Sequence, residues 1–461
     1  YKRQLQRISQ LVHGLAWFVD IDNVNRLGRD LAAVPASQTT AFGLWLLGFL
    51  ALTLLRRRAP QGLRRCAEVT VKVRTDRFSA TLAALMHTLV MVAWLPWLLI
   101  GLGLLLGQSA TASTSSLVYA AGLQSVGQTI LFLGFFLHLC RPDGLAVTHL
   151  EWHPVLCKQI ARQAAWLIPI VTPLSFFAAA GSATVPSGCI RISSSLQIDD
   201  ANLVSVGLLA FATQMLLLAI AVYRIWRRQG LVMQAFGETG EHAKWLSYHL
   251  LWFGPALLVP VALVAAAILG YFYSAVFLAS VAGETLWFVV SAVIARDILF
   301  RWLYVTQRRL RFEEALRYRE EQNRLRQEDA ETSDSPVDSV INAIEEAKVN
   351  YNQLGQDVRS LVQLGFTLSL IMGLWWIWHD ILPAFSVLDR VQLPITTSKI
   401  IDGIAQDVPL TLSDMIAGLL LGGLALFAAM KVPAVLELTV LQRLPLSRAS
   451  RYAVTTMTQG S

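Results

Sequence analysis

Charge is what this sequence has least of: 15% of its 461 residues are charged, against roughly 25% in an ordinary soluble domain. With 55% of the residues hydrophobic, no single core can hide the apolar side chains from water, so lipid must be the solvent for much of the chain. Cysteine is scarce too. Cys66, Cys140, Cys157 and Cys189 are scattered without Cys-x-x-Cys spacing, which argues against a disulfide framework. Also missing are a P-loop, a nucleophile with its base, paired acids at catalytic spacing, and any motif that reads DNA or RNA. These absences exclude the common enzyme classes, leave no cofactor to be expected, and make nucleic acid an unexpected partner. The excess of 38 basic over 31 acidic residues needs another explanation, and the placement of the basic residues supplies it: they stand in blocks beside apolar runs, as in contact with anionic lipid headgroups. Because the sequence starts at Tyr1 with no signal peptide, it is expected to be a processed or partial form of something longer.

What the chain does have is long apolar runs. They lie near 39–55, 79–107, 117–140, 163–180, 201–223, 246–270, 274–300, 362–382 and 412–430, and each is long enough to cross about 30 Å of hydrocarbon. The fold class that follows is all-α, a polytopic transmembrane protein of about nine spans flanked by short helices on both sides of the membrane. The second run is overlong and contains Trp94-Leu95-Pro96-Trp97, which predicts a tilted or kinked helix or a re-entrant break. Pro255 and Pro260 in another run, and the pair Gly422-Gly423 in the last, mark further places for bends or close helix approach.

Lysine and arginine set the orientation. With residues 1–38 outside, 29 basic residues fall in inner segments and 8 in outer ones, and a bias of that size places the heavier side in the cytoplasm. An odd number of spans then leaves the C-terminal side inside. Trp375, Trp376 and Trp378, just before Asp380, are expected as anchors at the outer interface. Arg56, Arg57 and Arg58, followed by Arg64 and Arg65, would hold the inner end of the first span against anionic headgroups, each worth about 1 kcal/mol near such a surface. The same arginines also satisfy the generic positive-inside pattern without any specific lipid contact.

Two stretches extend beyond the spans. From Arg301 to Arg326 glutamate and arginine alternate, which predicts a solvated helix continuing the seventh span. After a break at Glu331 to Pro336, Ser335 is placed to cap a second helix. Its apolar seam runs through Val340, Ile344, Ala347, Tyr351, Leu354, Val358 and Leu361. That seam suits a partner helix or the membrane surface, and equally an amphipathic lead-in to the next span.

Few residues invite chemistry. His149-Leu150-Glu151-Trp152-His153 would set two imidazoles one helical turn apart, but it is not His-Glu-x-x-His and shows no third ligand, so no metal is expected. Glu284 interrupts an apolar run; an acid at membrane depth is a candidate polar site, or a helix-bonded side chain facing its neighbours. Gly101, Gly103 and Gly107 read as close helix packing. His138, His249 and His379 stand singly near span ends and read as structural.

Three stretches at the C-terminal end are more specific: Val432-Pro433-Ala434-Val435-Leu436-Glu437-Leu438, Leu441-Gln442-Arg443-Leu444-Pro445-Leu446, and Arg451-Tyr452-Ala453-Val454-Thr455-Thr456-Met457-Thr458. Together they resemble the segment leading into the last two membrane helices of the large mechanosensitive channels of the small-conductance type, in their potassium-dependent and miniconductance branches. Arg141-Pro142-Asp143-Gly144-Leu145 with His149-Leu150-Glu151-Trp152 resembles an inner loop of the same proteins. The resemblance implies a homoheptameric, tension-gated channel of a Gram-negative inner membrane, open under hypo-osmotic stress to ions and small osmolytes, with eleven spans per subunit.

On that expectation, residues 1–38 are a periplasmic helical lead-in and 39–300 a sensor bundle of about seven spans. Residues 301–361 are cytoplasmic helices, 362–430 two further spans, and 431–461 a cytoplasmic linker toward pore helices beyond Ser461, so no pore residue is assigned. Membrane lipids, permeating ions and further copies of the chain are the expected partners. The rival reading is a secondary transporter with a midplane site among the interruptions at Trp94–Trp97, Pro255–Pro260 and Glu284. Sparse intramembrane charge and the lack of an internal repeat weigh against it.

Overall fold

The computed structural model describes residues 2–71, 77–109, 112–183, 201–227, 230, 233, 249–328, 362–379, 392–401, 404–411 and 418. The chain forms two compact units, residues 1–326 and 327–461. In the first, α1 (Lys2–Trp17), α2 (Ile21–Ser37), α3 (Thr39–Val71), α4 (Phe78–Gly107), α5 (Thr114–Leu139), the short α6 (Leu145–Thr148), α7 (Pro154–Gly181), α8 (Ala201–Trp226), α9 (His249–Ile268) and α10 (Phe272–Glu328) follow one another. α10 runs on past the first unit.

Among the described residues, six helices are long and apolar enough to cross a membrane: Thr39–Thr70, Phe78–Gly107, Thr114–Leu139, Pro154–Gly181, Asn202–Trp226 and Phe272–Thr306. Two shorter apolar helices, Phe253–Ile268 within α9 and Val362–Trp378 (α11), correspond to two more expected spans. The ninth, 412–430, lies outside the described residues apart from Gly418. So do Gly422, Gly423, the seam from Val340 to Leu361 and the C-terminal stretches that carry the resemblance.

Local signals place the helix ends. Asp20 caps α2, accepting from the Asp22 amide at 3.2 Å; Ser113 caps α5 through Ser116; His153 caps α7, with Pro154 at its first position, where a missing N–H costs nothing. Gly270, at φ 104, makes the tight turn between α9 and α10 in a conformation that only glycine adopts freely. The Trp94–Trp97 segment does not break. α4 runs unbroken through Pro96, which is buried, where neighbouring helices can compensate for the missing donor. Pro255 and Pro260 likewise lie inside continuous α9.

α3 packs on α4, α4 on α5, α5 on α7, α7 on α8 and α8 on α9. The pairs are close because small residues sit at the crossings. A Cβ on Gly103 would meet the Ala120 carbonyl at 2.8 Å, and one on Gly181 would meet Gly207 Cα at 2.6 Å. In lipid, where apolar burial drives little association, such backbone proximity is what holds helices together. α10 joins through side chains: Trp287 stacks edge-on with Phe132 at 5.0 Å, and Ile294 closes a core with Ala59, Leu63, Met91, Phe135 and Leu139. At 57 residues, α10 is about 85 Å long at 1.5 Å per residue, so its charged half extends well past any bilayer.

The second unit holds α11 and an antiparallel hairpin, β1 (Gln392–Ile401) and β2 (Ile404–Thr411), with Ile401 opposite Ile404. The fold remains a helical membrane fold, but this hairpin was not expected from the sequence.

Candidate functional site

At the end of the bundle where α3 finishes and α7 begins, the loop after α5 is a hub. Gly144 is required there, because a Cβ would lie 2.5 Å from the Leu139 carbonyl. Asp143 Oδ2 lies 3.5 Å from Arg64 Nε of α3, an exposed pair of little energetic weight. His149 is fully buried, its Nδ1 3.1 Å from Thr81 Oγ1 of α4. Glu151 adopts φ 56, a left-handed conformation uncommon for its type, and its carboxylate lies 3.7 Å from the buried guanidinium of Arg301. Next to it, Trp152 Nε1 donates to Asp297 Oδ2 at 2.8 Å, while Arg296 pairs with the other oxygen at 2.8 Å. The loop thus ties α3, α4, α5 and α7 to α10.

This overturns the helical reading of His149 and His153. They are separated by a turn, His149 bonding to α4 and His153 capping α7. No three His, Cys, Asp or Glu side chains gather as a metal would need among the described residues. Cys66, Cys140 and Cys157 are free thiols; Cys189 lies outside the described residues.

At the opposite end, Asp30 of α2 sits over the start of α5. Its Oδ2 accepts from the Ser113 amide at 2.8 Å and from the Ser113 and Ser116 hydroxyls at 2.7 Å each. Burial alone would raise its pKa. Those three hydrogen bonds and nearby Arg29 outweigh it and hold the carboxyl below 3.8. The elbow between α1 and α2 is fixed close by: Tyr119 donates to the Phe18 carbonyl at 2.7 Å and Asn23 to the Trp17 carbonyl at 3.1 Å; at the junction of α2 and α3, Gln38 donates to the Leu105 carbonyl at 3.0 Å.

The other sequence candidates are dispersed. Arg56, Arg57, Arg58, Arg64 and Arg65 are all exposed along α3, and the Arg56 guanidinium lies over the Trp94 ring at 4.2 Å. Trp375 and Trp376 are exposed on α11 and Trp378 is half-buried. Glu284 is half-buried in the apolar first part of α10. Sequence reasoning missed Asp30, Asp297 and Arg301. Asp297 had a signal, since Arg296-Asp297 interrupts an apolar run just as Glu284 does.

The most apolar 18-residue stretch of α3 has 0% of its residues buried, and that of α10 11%, against 33–39% for α4, α5, α7 and α8. Of these six helices, α3 and α10 are the least covered by the rest of the chain.

Residues 39–393 match the family model described as mechanosensitive ion channel inner membrane domain 1. The miniconductance mechanosensitive channel MscM of Escherichia coli (strain K12) is 24% identical over 469 residues, covering 98% of this chain. The mechanosensitive channel MscK of the same organism is 29% identical over 201 residues, 43% of this chain. An uncharacterized MscS family protein of Haemophilus influenzae is 23% identical over 332 residues, 71% of this chain. The matches span 39%, 17% and 27% of these relatives' own lengths.

Proposed function

Since the chain belongs to the mechanosensitive ion channel family defined by that inner membrane domain, we propose that it is the tension-sensing region of a channel that opens on hypo-osmotic stress and releases ions and small osmolytes. The observation that carries this reading is the family match over residues 39–393 on a multi-pass helical bundle. The lipid-accessible faces of α3 and α10 supply a physical means. Tension favours whichever conformation occupies more membrane area, in proportion to the added area, just as a ligand favours the state it binds better. Moving a closed-to-open ratio from 1:99 to 99:1 takes about 5.5 kcal/mol of such bias. No chemistry is needed, and the chain is read as a non-enzyme.

In the same reading the protein sits in a bacterial inner membrane as a homoheptamer, with residues 1–38 on the periplasmic side and the C-terminal side in the cytoplasm. Arg56, Arg57, Arg58, Arg64 and Arg65 meet lipid headgroups, and Trp375, Trp376 and Trp378 anchor the outer interface. The loop hub transmits displacement of the sensor helices into α10, which leaves the bilayer.

The test is patch recording from the full-length protein in liposomes. Stepwise suction should evoke currents, absent from protein-free patches. Silence under suction, combined with uptake of a solute down an ion gradient, would overturn the channel reading in favour of a transporter.

A further inference from the structure

The elbow between α1 and α2 exposes apolar side chains on one side and grips the bundle with the other. Val12, Leu15, Val19, Ile21 and Val24 are 59%, 48%, 77%, 74% and 47% exposed. A spacing of three places Val12 and Leu15 on one face of α1, and Ile21 and Val24 on one face of α2, with Val19 in the turn that joins the two helices. On the far side of α1, a Cβ on Gly14 would meet the Asn202 carbonyl of α8 at 2.5 Å. The Phe18 ring is inserted among Tyr119, Phe176 and Phe177 at 6.0, 5.7 and 5.2 Å. The polar side chains of α2 follow a third direction: Asp22, Arg26 and Arg29 are exposed on a strip between the apolar stripe and the bundle.

Depth decides what the apolar stripe meets. Tyr119 lies about 8 Å along α5 from its first residue, and Gly14 meets α8 within a similar distance of its start, at ~1.5 Å per residue. α5 and α8 are 26 residues each, about 39 Å, so each exceeds a ~30 Å hydrocarbon core by roughly 4–5 Å per end. The elbow is therefore level with the boundary between headgroups and acyl chains, not above it. An amphipathic helix lying in a membrane interface buries its apolar face at that depth.

We propose that the α1–α2 elbow is an interfacial anchor, inserting Val12, Leu15, Val19, Ile21 and Val24 among phospholipids of the leaflet that meets the N-terminal end of α5, with Asp22, Arg26 and Arg29 toward water. Asp30, bonded to Ser113 and Ser116, links this anchor to α5, so a thinned or stretched leaflet pulls on that helix directly. This last step rests on the tension-sensing reading. The anchor itself needs only a bilayer.

The test places a polarity-sensitive fluorophore on Val19→Cys and, separately, on Arg26→Cys. The full chain is reconstituted in phosphatidylethanolamine and phosphatidylglycerol vesicles containing a lipid with a nitroxide near the headgroup end of an acyl chain. Labelled wild type supplies the background from native cysteines. Emission at position 19 should be blue-shifted and quenched by the nitroxide lipid several-fold more than at position 26, and aqueous iodide should reverse that order. Water-like emission at 19, equal to that at 26, overturns the proposal. Blue-shifted emission that the nitroxide lipid does not quench assigns the stripe to a second copy of the chain and also overturns it. A channel silent under suction would leave the anchor standing, so the two readings fail separately.

Discussion

At the scale of single residues, Asp30 is the most informative side chain. One carboxylate oxygen accepts three hydrogen bonds from the cap of another helix, where the partial positive charge of the α5 N-terminus adds to them. Asp30→Asn keeps the shape but removes the charge and turns one acceptor into a donor facing two hydroxyls. The expected cost is about 1–2 kcal/mol, that of hydrogen bonds to a charged group, moderated because the site is only partly buried. Thermal unfolding of the purified protein in detergent should show the loss as a lower midpoint, and Asp30→Glu should recover only part of it. Because the folded-state pKa lies below the ordinary 3.8, the contribution is complete above that value and is lost as pH falls through the folded one. The difference between wild type and Asp30→Asn should therefore stay constant from about pH 8 to 5 and close only in stronger acid. A difference that disappears near neutrality would mean that another group controls the contact.

At the scale of elements, the α7–α8 crossing depends on two glycines with nothing between their backbones. A Cβ on Gly181 would meet Gly207 Cα at 2.6 Å and the Leu203 carbonyl at 2.6 Å, and these are backbone atoms that no rotamer change can move. Gly181→Val should force the helices apart and destabilise the bundle by about 1–3 kcal/mol, the usual range for overpacking. Gly28→Val is the control, since a Cβ there meets nothing within 4 Å. Equal midpoints for the two variants in the same detergent melt would show that the crossing is looser than its geometry indicates.

Much of this level was legible in the sequence, because lipid leaves a spanning segment no choice but a long apolar helix. Eight of the nine expected runs coincide with observed helices. The misreadings were local. Of the alternatives that Pro96 left open, a tilted or kinked helix or a re-entrant break, the continuous α4 removes only the break. His149 and His153 were read at helical spacing, although α6 ends at Thr148 and Pro154 opens α7, so the two residues cap different helices. The hairpin was missed, yet Asp402-Gly403 falls between the paired Ile401 and Ile404, a sequence favoured at two-residue hairpin turns. Asp30 with Ser113, 83 residues apart, has no local pattern, because the contact arises only when α2 folds over α5.

At the scale of the whole molecule, the first unit sorts its residues into two ends. One contains Arg64 with Asp143, Thr81 with His149, and Trp152 and Glu151 with Asp297 and Arg301. The other contains Asp30 with Ser113, Phe18 with Tyr119, and Gly14 against Asn202. The arginine block of α3 belongs to the first end, which accounts for the lopsided distribution of basic charge. Retention of positive charge in the cytoplasm should therefore orient every span together. Cysteine accessibility checks this in one experiment, since Asp143 and Arg26 are both exposed and lie at opposite ends. A membrane-impermeant maleimide should label Arg26→Cys in intact spheroplasts and Asp143→Cys only after permeabilisation. The reverse pattern would place the loop hub outside and α10's charged half with it, so displacement of the sensor helices would be delivered to the wrong side of the membrane. Labelling of both positions in intact cells would mean that the two ends do not lie across one bilayer, and the tension-sensing bundle itself would have to be given up.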